Sequence, residues 1–242
     1  MIRCLALTES VLDRLVAGTG ATEVTGPDGG SLLSVQDPES GNSGEMRVFE
    51  GGKVRRIVWT RLSVPARQVT TTMIFGFAPV DSAVPHYTLD CADHGPDAHA
   101  FHLDVMPRVQ LATHVPYMDA VMTPLTPLFN QGLGIDGITP TPTSPRQIAL
   151  MSPWMLIGFA TPEAFEQVGP LAHAYADHWL SVLTDGLSPD VVATTSDTDV
   201  IARDRAVRHN LFSPEVDPVW GRVEAMVGKP AAEAIRAQLR DE

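Results

Sequence analysis

The chain has few cysteines and no long apolar run. Its 242 residues include only two cysteines, Cys4 and Cys91, which are too few for a disulfide framework and do not form a C-x-x-C pair. No segment approaches the roughly 18 consecutive apolar residues that a membrane span needs. The N-terminal stretch has acidic residues inside its apolar part and no signal-peptide pattern. We therefore expect a cytoplasmic protein in a reducing compartment, with no membrane partner.

Positive charge is also scarce. The chain has 17 Lys and Arg against 29 Asp and Glu, a formal net charge of −12, and this balance argues against a nucleic-acid partner because phosphate contacts need clustered cations. The basic residues are unevenly distributed along the sequence. A basic island could receive an acidic protein or an anionic ligand, or could simply be a solvated strand face; it consists of Lys53, Arg55, Arg56, Arg61 and Arg67.

Several common functional motifs are absent. The sequence lacks G-x-G-x-x-G, G-x-x-x-x-G-K-[ST], H-E-x-x-H and G-x-S-x-G, so dinucleotide, nucleotide triphosphate, zincin and lipase-type functions lose their sequence support. Three of the eight histidines, His94, His99 and His102, lie near one another in the chain. No partner motif accompanies them, and we predict no metal site.

The residue pattern predicts strands in the first half of the chain. The first 18 residues have the apolar spacing of an amphipathic helix. Short segments rich in branched and aromatic residues then follow, separated by turn residues, and their short links favour an antiparallel meander. They are SLLSVQ, EMRVFEG, RRIVWTRLSV, QVTTTMIFGFA, PHYTLDC and AHAFHLDVM, and the clearest turns are ESGNSGE and EGGK.

The second half is predicted to be mainly helical. After Pro107 a stretch dense in Pro, Gly and Thr, including GITPTPTSPRQ, predicts a non-helical binding loop. ALMSPWMLIGFA then predicts a buried strand, Thr161 a helix start, and the tail helices near 199–211, from Ser213–Pro214 and over 230–240. This order predicts an α+β protein: a three-layer α/β/α sandwich with a central antiparallel sheet, in a single domain spanning 1–242.

Two neighbouring predicted strands carry titratable groups on one face. A period of two places His86 with Asp90 on the first strand and His102 with Asp104 on the second. An aspartate buried beside an apolar ligand has a raised pKa and is able to donate a proton near neutral pH. The alternatives are an aspartate that caps a turn, and a histidine that only bonds a substrate carbonyl or a neighbouring side chain.

Four blocks of the sequence resemble a known family. They are IFGFAPVDSAVPHYTLD followed by FHLDVMPRV, then MSPWMLIGFATPEAF, and last DRAVRHNLFSPEVDPVWGRVEAMVGKPAAEAIRAQL. In order and spacing they are similar to the ferredoxin-dependent bilin reductases, and most like the red chlorophyll catabolite reductase branch. The resemblance extends over roughly residues 50–240. It implies an antiparallel sheet between helices, in agreement with the pattern of predicted elements.

The resemblance also implies a reaction. A member of this family holds no metal or flavin and no other tightly bound cofactor, and reduces a linear tetrapyrrole such as biliverdin or a chlorophyll-derived bilin. Single electrons arrive from an iron–sulfur ferredoxin, its protein partner, while acids near the pigment supply protons. Asp90 matches a principal proton donor. Asp217 matches a second acid or is a helix-start acid, with His86 assisting and with His102 and Asp104 as candidate substrate contacts.

The sequence departs from the family in two respects. The members that form phycocyanobilin have a histidine and a glutamate on the strands before the central aspartate, and RIVWTRLSVPARQVTTTMIFGF offers neither. This argues against their four-electron chemistry. No Ser- and Arg-rich transit leader of the plastid type is present. Two alternatives stay open: a non-catalytic bilin-binding protein of the same fold, and a hydrolase or lyase that uses His86 and Asp90 on an unrelated small substrate.

Overall fold

A nine-stranded antiparallel sheet forms the middle layer. The computed structural model describes residues 3–141 and 143–242. The strands are β1 (Thr22–Val24), β2 (Leu33–Gln36), β3 (Ser43–Gly51), β4 (Val54–Val64), β5 (Val69–Phe77), β6 (His86–His94), β7 (His99–Met106), β8 (Ile138–Thr139) and β9 (Leu156–Ala160). Their order across the sheet is β1-β3-β4-β5-β6-β7-β9-β8, and β2 also pairs with β3. All six strands predicted between 31 and 106 are confirmed.

Helices cover both faces of the sheet. They are α1 (Arg3–Thr19), α2 (Val115–Val121), α3 (Thr126–Leu133), α4 (Pro145–Ile148), α5 (Pro162–Asp185), α6 (Pro189–Thr194), α7 (Val200–Leu211), α8 (Val219–Val227) and α9 (Lys229–Arg240). One apolar core joins the sheet to α1 and α5, and a second joins its other face to α7, α8 and α9. The predicted α/β/α sandwich is confirmed.

Alternation along the central strands creates these two cores. On β6, Tyr87 and Leu89 are fully buried in the core beneath α1 and α5, while Asp90 points to the opposite face, where its partner across β5 is Met73. Phe75, two residues further along β5, belongs to the core beneath α7 to α9. A strand with both faces covered therefore combines an apolar side with a side that is partly polar.

Local signals explain where several elements begin and end. Gly51 and Gly52 both have positive φ, 85° and 60°, a conformation that residues with a Cβ avoid, and they form the predicted turn between β3 and β4. The hydroxyl of Thr161 accepts a hydrogen bond from the backbone N–H of Ala164, as expected for the residue that caps α5. No helix within 3–141 and 143–242 combines the length and the apolar content needed to cross a bilayer.

Two predictions for the second half were wrong. The stretch after Pro107 contains α2, α3 and α4, each with proline in its first turn, where the missing N–H removes no hydrogen bond. Pro142, in the predicted loop, lies outside the described residues, as do the first two residues of the predicted N-terminal helix. Ser213 does not begin a helix either. Residues 214–216 form a turn and α8 begins at Val219.

Candidate active site

A cleft lies between the sheet and the chain around the start of α8. Its two lobes have volumes of about 610 and 520 Å³ and share much of their lining, so they form one elongated cleft. The shared lining comes from four strands, the loop before α4 and the start of α8: Met73, Asp90, His102, Thr141, Ile157, Asp217, Val219, Trp220 and Arg222. Both volumes lie within the range of roughly 300–1,000 Å³ that is typical of small-molecule sites.

A single row of side chains crosses the floor of this cleft. Met73 on β5 is paired with Asp90 on β6, Asp90 with His102 on β7, and His102 with Ile157 on β9. Directly opposite residues in an antiparallel sheet point to the same face. The register therefore places a carboxyl and an imidazole side by side, with an apolar residue on each side of the pair.

Asp90 and His102 contact each other. Their Oδ2 and Nδ1 atoms are 3.3 Å apart. The other carboxyl oxygen of Asp90 and Nε2 of His102 are buried and have no hydrogen-bond partner among residues 3–141 and 143–242. The Asp90 side chain keeps 37% of its exposure, and it lines both lobes of the cleft. The partly exposed carboxyl of Asp90 thus faces the place where a ligand would lie.

The surroundings of the pair favour a bound proton. Burial raises the pKa of Asp90, the hydrogen bond and charge of His102 oppose this, and the negative charge of Asp217 adds to the rise. Burial alone would lower the pKa of His102, but its hydrogen bond to Asp90 and the nearby carboxylates outweigh burial and raise it. Both shifts favour the protonated form of the pair, which is the form that a proton donor requires.

Asp217 lies on the other side of the cleft from the sheet. It lines both lobes, and its Oδ1 accepts a hydrogen bond from the backbone N–H of Val219 at 2.9 Å. It therefore supports the first turn of α8 and leaves Oδ2 for other contacts. The structure brings together three of the five predicted site residues: Asp90, His102 and Asp217.

Asp104 is on the predicted face but does not line the cleft. It is fully buried; Oδ2 accepts from the backbone N–H of Ser152 at 2.8 Å, and Oδ1 accepts from the Ser152 hydroxyl. Burial raises the pKa of Asp104 despite these hydrogen bonds. The residue holds the turn at 152–154 in place, and its charge contributes to the raised pKa of His102.

His86 lies on the same face and is also away from the cleft lining. Its Nδ1 accepts a hydrogen bond from the backbone N–H of Ala78, so Nε2 carries the proton and donates to Asp204 at 2.6 Å. Burial lowers the pKa of His86 to about 4. Asp204 also lies near Arg108 and Arg208. This network joins β6 to α7, and no observation supports a hydrolytic pair of His86 with Asp90.

Three arginines at the cleft were missed as site residues. Arg146 and Arg222 line the larger lobe, and Arg67 lines the smaller one. Arg67 and Arg222 are exposed and form no ion pair with any residue that the structure describes; Arg146 donates to the carbonyl of Glu215 at 3.0 Å. Arg222 follows the D-P-V-W-G segment that contains Asp217, and this proximity was the available signal.

Most of the basic island is neutralised by acidic neighbours. Arg55 pairs with Asp241 at 2.5 Å, and Arg56 pairs with Glu50 at 2.6 Å. Arg61 pairs with Glu45 at 3.0 Å. The island is thus not a row of unpaired cations, because β3 and the residue after α9 supply acidic partners. Only Arg67 in this group lies at the cleft.

Comparison with known proteins bears on the fold. No protein-family model matches the chain, and no curated protein sequence does. A solved structure, phytochromobilin synthase from tomato in complex with biliverdin, superposes with a TM-score of 0.73 and 14% sequence identity. The two proteins share one fold. The match covers 97% of this chain and 82% of the tomato protein, so the likeness extends over all three layers.

Proposed function

We propose that the chain reduces a linear tetrapyrrole, either biliverdin or a chlorophyll-derived bilin, with single electrons from an iron–sulfur ferredoxin. The observation that carries the proposal is the proton-holding pair of Asp90 and His102 on the floor of an elongated cleft. Two facts support it further: the fold is shared with a protein solved in complex with biliverdin, and the sequence blocks resemble the bilin reductases, particularly the red chlorophyll catabolite reductase branch.

The cleft suits a large, mostly apolar pigment that has carboxylates on part of its edge. Its walls include Phe75, Met151, Met155 and Trp220, which offer flat and adaptable apolar contacts. Bilins have a conjugated apolar body and propionate side chains. Placing the body across the row from Met73 to Ile157 would bring a pyrrole near the exposed part of the Asp90 carboxyl.

The residues of the pair have distinct roles in the proposed reaction. Each two-electron reduction of the pigment consumes two electrons and two protons. After the first electron arrives, the pigment radical is more basic, and Asp90 would transfer its proton to it. His102 then stabilises the resulting carboxylate by a charge-assisted hydrogen bond. Asp217, across the cleft, is the proposed route for the second proton, which its carboxylate takes from water and passes to the pigment. His86 acts only by holding β6 against α7.

Three arginines at the cleft are placed to bind the propionates of the pigment. Arg222 and Arg146 at the larger lobe, and Arg67 at the smaller one, place guanidinium groups at the edges of the cleft. Guanidinium groups bind carboxylates through paired hydrogen bonds. In a chain with a net charge of −12, this rim also offers an acidic ferredoxin a more favourable approach than the ion-paired island does.

The test is anaerobic incubation of the purified protein with biliverdin, reduced ferredoxin and a regenerating system, followed by visible spectroscopy. We expect biliverdin to be consumed and a bilin with a shortened conjugated system to accumulate. A parallel incubation with a red chlorophyll catabolite shows whether the protein reduces this pigment or biliverdin. A spectral shift on binding without conversion of either pigment would instead support the bilin carrier of the same fold.

A further inference from the structure

A second cluster of reactive side chains lies on the opposite face of the sheet, beneath the first turn of α1. It consists of Cys4, Cys91, Asp93 and His99, and each is at most 7% exposed. On β6, Cys91 and Asp93 are two residues apart and share a face, and Asp93 is directly opposite His99 on β7. Cys4 reaches them from α1. None of the proposed chemistry in the cleft uses these groups.

Three of the four side chains, those of Cys4, Asp93 and His99, are close enough to bind one ion. Ligand atoms of Cys4, Asp93 and His99 all lie within 4.8 Å of one another, and the Cys91 thiol lies within hydrogen-bonding reach of Cys4. Nδ1 of His99 is 2.5 Å from Oδ1 of Asp93. The other oxygen of Asp93 accepts from the backbone N–H of Cys4 at 3.2 Å, which fixes the carboxylate at the helix start.

The chemistry of the cluster suits a metal ion. Hydrogen bonding with Cys91 and burial raise the pKa of the Cys4 thiol, so this thiol would keep its proton unless a cation displaced it. Thiolate, imidazole and carboxylate groups are all common ligands of zinc.

We propose that Cys4, Cys91, Asp93 and His99 form a structural Zn²⁺ site that fastens α1 to β6 and β7. Binding releases the two thiol protons and the proton between His99 and Asp93. Ligands about 2.0–2.3 Å from a tetrahedral zinc ion are about 3.3–3.8 Å apart. The ligand atoms of Cys4, Asp93 and His99 already lie within 4.8 Å of one another, and the His99–Asp93 contact opens by roughly 1 Å. Cys91, two residues from Asp93 on the same strand face, would supply the fourth ligand.

The test uses reduced, pigment-free protein under anaerobic conditions. Zn²⁺ is titrated against a chromophoric chelator, and Co²⁺ is added separately as a spectroscopic probe. We expect one equivalent of metal per chain, a thiolate-to-cobalt charge-transfer band, and a rise in melting temperature with Zn²⁺. C4S and H99Q should each weaken Zn²⁺ binding at least tenfold. H94Q changes an exposed histidine next to Asp93 and should bind like the wild type.

Several results would overturn the site. They are the absence of stoichiometric metal, a cobalt spectrum without a thiolate band, or C4S and H99Q proteins that bind Zn²⁺ as tightly as the wild type. A wild-type mass lower by two hydrogens, with no free thiols, would show a Cys4–Cys91 disulfide instead. If C4S does not fold, the cobalt spectrum of the wild type and Zn²⁺ binding by the C91S variant test the site instead. No measurement requires bilin turnover, so this test is independent of the proposed reaction.

Discussion

Asp90 on β6 lies directly opposite His102 on β7, with 3.3 Å between its Oδ2 and the imidazole Nδ1. The strand register creates this relationship. Burial raises the pKa of Asp90, and the contact with Asp90 raises the pKa of His102. Interacting sites of this kind lose their protons in steps that belong to the pair and not to either residue. The pair should therefore behave as one titrating unit in kinetic experiments.

The first prediction concerns pH dependence. Proton donation requires the protonated pair, so the wild-type rate should fall as pH rises through the upper apparent pKa, which lies above the ordinary 6.5 of histidine. H102Q removes the imidazole and leaves the Asp90 carboxyl as the donor. Its pKa is raised, but from an ordinary value of 3.8 and not 6.5, so the fall in rate at high pH should begin at a lower pH. A pH profile of single-turnover reduction checks this, and a fall in rate at the same pH as in the wild type would exclude His102 from the proton-donating pair.

The second prediction separates two roles of Asp217. Its Oδ1 accepts the Val219 N–H, and an asparagine keeps this acceptor while losing the acid. If Asp217 supplies the second proton, D217N should retain its melting temperature and bind bilin normally but reduce it at least tenfold more slowly. D217A, by contrast, should also be destabilised, by about 1 kcal/mol, through loss of this hydrogen bond. Full activity of D217N would show that Asp217 supports the start of α8 and supplies no proton.

The third prediction concerns stability in acid. The pKa of His86 is about 4 in the folded chain against 6.5 when unfolded, so the unfolded state binds the extra proton between these values. Folding stability should therefore fall as pH drops from 6.5 towards 4, by about 3 kcal/mol for this group at 1.36 kcal/mol per pKa unit. Denaturant unfolding at several pH values measures the slope. H86Q should flatten the slope, and an equally steep H86Q profile would contradict this origin.

The fourth prediction concerns the rim of the cleft. R222A and R146A should each raise KM for the bilin roughly tenfold or more with a smaller effect on kcat, because a charged hydrogen bond contributes about 1.5–3 kcal/mol. R205A is the matched control, since Arg205 is exposed on α7 and does not line either lobe. Esterified bilin should bind wild type and R222A alike. A loss in R205A equal to that in R222A would point to general charge attraction.

The sequence predicted the sheet well because its signal is local. Alternation on β6 and β7 placed Asp90 and His102 on one face, and short turns such as that at Gly51 and Gly52 required antiparallel neighbours. The 95–98 connection sets the register that puts Asp90 opposite His102. The two residues therefore share one face, as the alternation predicted. Local patterns thus sufficed for the floor of the cleft.

The surroundings of the site could not be read in the same way. Asp104 is occupied by Ser152, 48 residues away, and His86 by Asp204, 118 residues away. Asp241, one partner of Arg55 in the basic island, is 186 residues away. Which polar groups remain unused depends on packing between layers, and a period of two carries no information about that packing.

The most direct test of the central claim is anaerobic reduction of bound biliverdin by reduced ferredoxin, with wild type and D90N compared by rapid visible and electron paramagnetic resonance spectroscopy. The amide fills the same space as the carboxyl but has no acidic proton to give. The account predicts equal binding, a loss of at least a hundredfold in reduction rate, and an organic radical that persists in D90N. Reduction by D90N at the wild-type rate, with no persistent radical, would contradict it.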